Sequence, residues 1–112
     1  MNGKRKGKDG ELEAARLLRF YGYNARRGVQ YKGGADSPDV VGIPGAHIEV
    51  KRTERTALYD WIAQAKADSA PDEIPVVMHR KNRAQWLAIL SFDDFMKMYK
   101  VYELYNEKEN GQ

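Results

Sequence analysis

Cysteine is absent from the 112 residues, which leaves neither disulfides nor thiolate ligands and excludes zinc sites of the finger type. A reducing compartment is therefore permitted. No apolar run approaches the roughly 20 residues of a membrane-spanning helix. The first residues carry Lys4, Arg5, Lys6 and Lys8 where a signal segment would have an apolar core. The expectation is a soluble cytoplasmic protein. The chain is also too short for two independent cores, so one domain is expected over residues 1–112, with a basic arm over about 1–8 and a frayed tail over about 106–112. Internal repeats and low-complexity tracts are missing as well.

Net charge is small, with nineteen basic against sixteen acidic residues, but the signs are unevenly placed. Basic residues precede any acid at the start, and Glu103, Glu107 and Glu109 crowd the end. What the chain does have is a dense constellation near its middle. Pro38-Asp39-Val40-Val41-Gly42 reads as a strand, Ile43-Pro44-Gly45-Ala46 as its connection, and His47-Ile48-Glu49-Val50-Lys51 as the returning strand. Successive strand side chains face opposite ways, so Glu49 and Lys51 share one face while Ile48 and Val50 share the other.

Folded back across that connection, Asp39 approaches Glu49. Two carboxylates in one place repel unless a cation or a proton lies between them. Oxygen donors of this kind suit Mg²⁺ or Mn²⁺. A neighbouring ammonium, Lys51, completes what phosphodiester hydrolysis requires, because negative charge builds on the phosphoryl oxygens and a water must lose its proton. Lys51 could orient that water or touch the phosphate. A salt-bridged surface hairpin is the plain alternative for the same residues. His47 shares the face of Glu49 and Lys51 but stands two residues upstream, and both it and His79 read as strand-end histidines.

The remaining elements follow from periodicity. Asp9 is placed to cap a helix over about 9–21, with Leu12, Ala15 and Leu18 as its apolar stripe, Glu11 in its first turn beside that stripe and Gly22 as its end. Residues 23–29 read as a strand bearing Arg26 and Arg27, and residues 30–37 as a glycine-rich loop flanked by Tyr31 and Lys32. A second helix is expected over about 57–69, with Leu58, Trp61, Ile62 and Ala65 inward and Gln64 beside them. Two strands over 74–79 and 85–91 enclose a basic turn, and a last helix over about 92–105 carries Phe95, Met98, Tyr99 and Tyr102 on one side. With the acids reserved for metal, the surface is basic enough to attract a polyanion. The candidate phosphate contacts are Lys4, Arg5, Lys6, Lys8, Arg26, Arg27, Lys32, Arg52, Arg55, Arg80, Lys81 and Arg83.

The acid of Pro38-Asp39 and the triplet Glu49-Val50-Lys51 resemble the signature of the PD-(D/E)xK nucleases. Lys6-Gly7-Lys8-Asp9-Gly10-Glu11 resembles the KGxxxE opening of archaeal-type Holliday junction resolvases, and Gln64 in Trp61-Ile62-Ala63-Gln64-Ala65 stands where that superfamily often has a glutamine after the lysine. A Ser-Gly-Gly stretch is usual before the acid; this chain has Lys32-Gly33-Gly34-Ala35-Asp36-Ser37 instead. The resemblance implies an α/β fold of restriction-endonuclease-like type, a mixed central β-sheet flanked by helices. It also implies metal held by Glu11, Asp39 and Glu49, with Lys51 and Gln64 completing the catalytic set. The cofactor would be Mg²⁺, with Mn²⁺ as a substitute. The implied partner is DNA, four-way junctions first, cut in paired nicks by a homodimer; phage encoding is left open. Two other readings stand beside it: a nuclease of the same core acting on flaps or duplex ends, and a non-catalytic nucleic-acid-binding module whose acids are structural.

Overall fold

The computed structural model describes residues 3–28 and 37–111. In chain order the elements are α1 (Gly3–Phe20), β1 (Arg26–Arg27), β2 (Val40–Val41), β3 (Ala46–Lys51), α2 (Leu58–Asp68), β4 (Ile74–His79), β5 (Leu87–Ile89) and α3 (Phe92–Glu109). The described strands form one five-stranded sheet in the order β1-β2-β3-β4-β5. Only β3 and β4 run parallel, and α2 is the crossover between them. The other pairings are antiparallel. This is the mixed α/β sheet with flanking helices that the sequence predicts.

Strand alternation sorts the two faces. The register pairs Ile48 with Val76 and Val50 with Met78, and this apolar face packs under α1 through Ala14, Ala15, Leu17 and Leu18. Ala14 and Ala15 are fully buried, and their small side chains let the helix lie close to the sheet. On the opposite face Glu49 pairs with Val77 and Lys51 with His79, and α2 covers it with Trp61 stacked on His79 at 5.2 Å between ring centroids. Burial of each aliphatic side chain contributes roughly 1.5–3 kcal/mol. This core is small, and polar ties supplement it: Glu13 on α1 accepts from both Arg80 Nε and Trp86 Nε1, fastening the segment between β4 and β5 to the helix.

Several boundaries differ from expectation. Helix α1 starts at Gly3, so Asp9 is internal rather than a cap and Glu11 lies in the third turn. Straight-chain Lys and Arg lose little rotamer freedom in a helix, and the predicted basic arm becomes its first turns. Its other end is as expected, with Gly22 N–H donating to Arg19 O at 2.9 Å and Tyr23 N–H to Leu18 O at 3.3 Å. Strands β1 and β2 shrink to two residues each because β2 leaves β3 just beyond Val40. Helix α3, capped by Ser91 Oγ accepting from Asp94 N–H, runs through the segment expected to fray and buries none of its residues. Lys108 in its last turn suits the negative end of the helix dipole. The predicted loop residues Gln30 to Asp36, Lys32 among them, lie outside the described residues, as do the side chains of Lys4, Arg5 and Lys6. Among the described residues no helix is long and apolar enough to cross a membrane.

Gly42 shows how tightly β1 and β2 are joined. Its φ is +98°, and a Cβ there would overlap the Asn24 carbonyl oxygen. We expect Gly42→Ala to lower stability by more than about 2 kcal/mol, from left-handed strain plus displacement of the backbone. Chemical denaturation checks this, and a variant as stable as wild type would contradict the packing described.

Candidate active site

The separation of β2 from β3 creates the site. Val40 stands opposite Ile48, so a continuing ladder would bring Pro38 opposite Val50. Instead the Val50 N–H donates to Asp39 Oδ2 at 2.8 Å. The backbone of Asp39 is held on both sides, its N–H donating to Ile48 O and its carbonyl accepting from Gly28 N–H, both at 2.8 Å. Gly28 is required for that approach, since a Cβ would collide with the Pro38 carbonyl. Backbone and side chain together leave the Asp39 carboxylate little freedom.

Glu49 projects from β3 into the same place. Burial pushes its carboxyl up to about 8, assisted by the charge of Asp39, a hydrogen bond shared with Asp39 and the charge of Asp68; Lys51 opposes the shift. Two carboxyl groups forced together in a half-buried notch are a donor set that fits a divalent cation, because a cation relieves the repulsion that otherwise requires a proton. His47 Nε2 lies 2.7 Å from Glu49 Oε1. The Lys51 ammonium sits over the Trp61 ring, 6.0 Å from its centroid, so α2 sets where that charge can be.

Glu11 reaches the same edge from α1. Burial raises its carboxyl above the usual value, the hydrogen bond from Arg27 lowers it, and the charge of Asp39 raises it again. Its Oε1 accepts from Arg27 Nε at 2.6 Å, so the carboxylate is turned toward β1. Among the described residues no group of three histidines, cysteines or acids is arranged around one metal position. Asp39 and Glu49 form the close pair, with Glu11 beside them. Gln64 is exposed on α2, on the stripe between Trp61 and Asp68 at helical spacings of three and four.

The basic candidates divide into tied and free groups. Arg27 is engaged by Glu11. Arg52 donates to Asn82 Oδ1 at 2.8 Å and reaches Arg80 O, while Arg80 pairs with Glu13 and lies over Trp86. Lys8, Arg55, Lys81 and Arg83 are exposed, as is Arg26, whose Nη1 donates to Asn24 O at 3.2 Å. Sequence reasoning missed Asp68, and it took His47 for a strand-end residue although the residue is 1% exposed and bonded to Glu49. The alternation of 47, 49 and 51 was the available signal. It also read Trp61 as core alone, where Trp61 supports Lys51.

The raised Glu49 carboxyl makes stability depend on pH. From its usual 4.5 to about 8 the folded chain binds more protons at this group than the unfolded chain, so stability falls as pH rises through that window and the penalty is complete above it. In chelator, denaturant unfolding from pH 5 to pH 9 should show this decline, and Glu49→Gln should flatten it. An unchanged slope in the variant would contradict the raised Glu49 carboxyl.

No curated protein and no solved structure matches the chain. Residues 2–110 match one family model, and the chain belongs to the family it describes, phage putative PDDEXK endonuclease.

Proposed function

We propose that the protein is a Mg²⁺-dependent DNA endonuclease, with Mn²⁺ as a working substitute, that hydrolyses phosphodiester bonds in branched DNA, four-way junctions first. The observation that carries the reading is the meeting of the Asp39 and Glu49 carboxyl groups beside Lys51 where β2 leaves β3. Asp39 and Glu49 would hold the divalent ion, with Glu11 as a further oxygen donor. The ion supplies electrostatic relief for charge developing on the phosphate and acidifies a water.

The chain's own groups do the rest. Asp39, fixed by its backbone and by the Val50 N–H, gives the site a rigid anchor, and rigid anchors make positioning effective. Lys51 holds a positive charge against Trp61, suited to orienting the attacking water or steadying the scissile phosphate. Gln64, exposed on α2, would support that water or the phosphate. Exposed Lys8, Arg26, Arg55, Lys81 and Arg83 would hold the DNA backbone, joined by Lys4, Arg5, Lys6 and Lys32. Arg27, Arg52 and Arg80 would contribute mainly by fixing the surface those contacts share.

A four-way junction has two-fold symmetry and needs two coordinated nicks, which calls for two active sites in a homodimer. The exposed side of α3, with Phe95, Met98, Tyr99 and Tyr102, is the surface on which we place the contact between copies. The test is cleavage of a labelled four-way junction, a flap, linear duplex and single strands with Mg²⁺, Mn²⁺ or Ca²⁺. Junction cutting in Mg²⁺ and Mn²⁺ is expected. Asp39→Asn and Lys51→Ala should each slow it by at least about 10²-fold while leaving junction binding in Ca²⁺ largely intact. Equal cutting of linear duplex would remove the junction preference. Metal-independent binding with no cleavage of any substrate would overturn the nuclease reading in favour of a binding module.

A further inference from the structure

His47 is nearly sealed from solvent, at 1% exposed, on the strand that carries Glu49 and Lys51. Its Nε2 is 2.7 Å from Glu49 Oε1, and its Nδ1 is 3.7 Å from Glu73 Oε1. Pro75 is its partner across the parallel pair with β4. The ring thus lies between Glu49 on β3 and Glu73 just before β4, and its Nε2 is directed at one oxygen of the carboxyl group that pairs with Asp39. A glutamate side chain two residues away on the same face has three torsions, and a single hydrogen bond to a buried, immobile ring removes most of that freedom.

We propose that His47 is a positioning residue for the cation site: its Nε2–H occupies Glu49 Oε1 and thereby presents the other carboxyl oxygen beside Asp39. This rests on the reading of Asp39 and Glu49 as the cation-holding pair. Partners that orient ligating carboxylates act on affinity for the ion, with removal costing about 10–100-fold. His47 touches neither the ion nor the phosphate in this account. Its loss therefore shifts the metal concentration that is needed and leaves the rate at saturating metal close to wild type.

Side-chain geometry makes the assignment testable. Gln can present its amide N–H₂ where Nε2 stands, whereas Asn is shorter and reproduces only the Nδ1 position. Mn²⁺ titrations of the DNA-free protein by electron paramagnetic resonance or calorimetry, on wild type, His47→Gln, His47→Asn and Glu49→Gln, separate the possibilities, with circular dichroism confirming that each is folded. The expected order is wild type and His47→Gln binding alike, His47→Asn about 10–100-fold weaker, and Glu49→Gln weakest. The same shift should appear in the Mg²⁺ needed for half-maximal cleavage. If His47→Asn binds Mn²⁺ as wild type does while Glu49→Gln does not, the role of His47 is overturned and the cation site stands. If wild type itself binds no Mn²⁺, or Glu49→Gln binds as tightly as wild type, the cation reading falls and the proposal with it. Weakening in both His47 variants to the same degree, with lowered melting temperatures, would assign His47 a packing role and overturn the proposal.

Discussion

One backbone amide organises the site. Where β2 departs from β3, Val50 N–H loses the ladder partner it would otherwise have, and a buried amide without an acceptor is costly, by roughly 1–3 kcal/mol. Asp39 Oδ2 takes that bond. The consequence reaches beyond satisfying the amide, because the same strand alternation aims Glu49 into the opening, and the two carboxyl groups are brought together by the sheet itself. Burial, with the charge and hydrogen bond of Asp39 adding to it, raises Glu49 to about 8. A half-buried notch lined by two acids is a donor set that fits a cation.

The flanking helices supply the remaining charges from opposite sides of the sheet. Helix α1 brings Glu11, balanced by Arg27 from β1, and α2 brings Trp61 under Lys51 and Asp68 near Glu49. The parallel β3–β4 pair matters here, since only its crossover lays α2 across the charged face of β3. The chain's family, phage putative PDDEXK endonuclease, goes with a sheet whose α1 side is apolar and whose α2 side carries Glu49 and Lys51 beside the buried Val77 and His79. Helix α3 stands apart from both. It buries none of its residues, and its exposed Phe95, Tyr99 and Tyr102 form a tilted row at about 6 Å centroid spacing.

Much of the architecture was legible in the chain. Alternation in 46–51, the strand-like run at 74–79, the Pro-Gly connection and the helical spacing of 58, 61, 62 and 65 led to the observed order of elements, although Leu58, expected inward, is exposed; the strand over 74–79 has the bounds read from the sequence. Helix ends were less legible: residues 3–8 and 106–109 mix good helix formers with Gly3, Gly7 and Asn106, so their state depends on the turns they extend. Within the site, the approach of Asp39 to Glu49 followed from folding one strand over another. The Asp39 bond to a backbone amide did not, because it depends on where a ladder breaks, which no local pattern encodes. His47 was discounted by sequence distance, yet two residues along a strand is only about 7 Å, within reach of a long glutamate turning back. The tying of Arg52 and Arg80 to Asn82 and Glu13 was equally hidden, since those partners lie 30 and 67 residues away.

Whether Asp39 and Glu49 hold a cation beside Lys51 is read directly from a crystal of the protein grown with Mn²⁺, through anomalous scattering at the manganese edge. A single strong anomalous peak is expected between the two carboxylates, with Asp39 still accepting from Val50 N–H. Saturating Mn²⁺ with no peak there, or the two carboxylates turned away from each other, would contradict it.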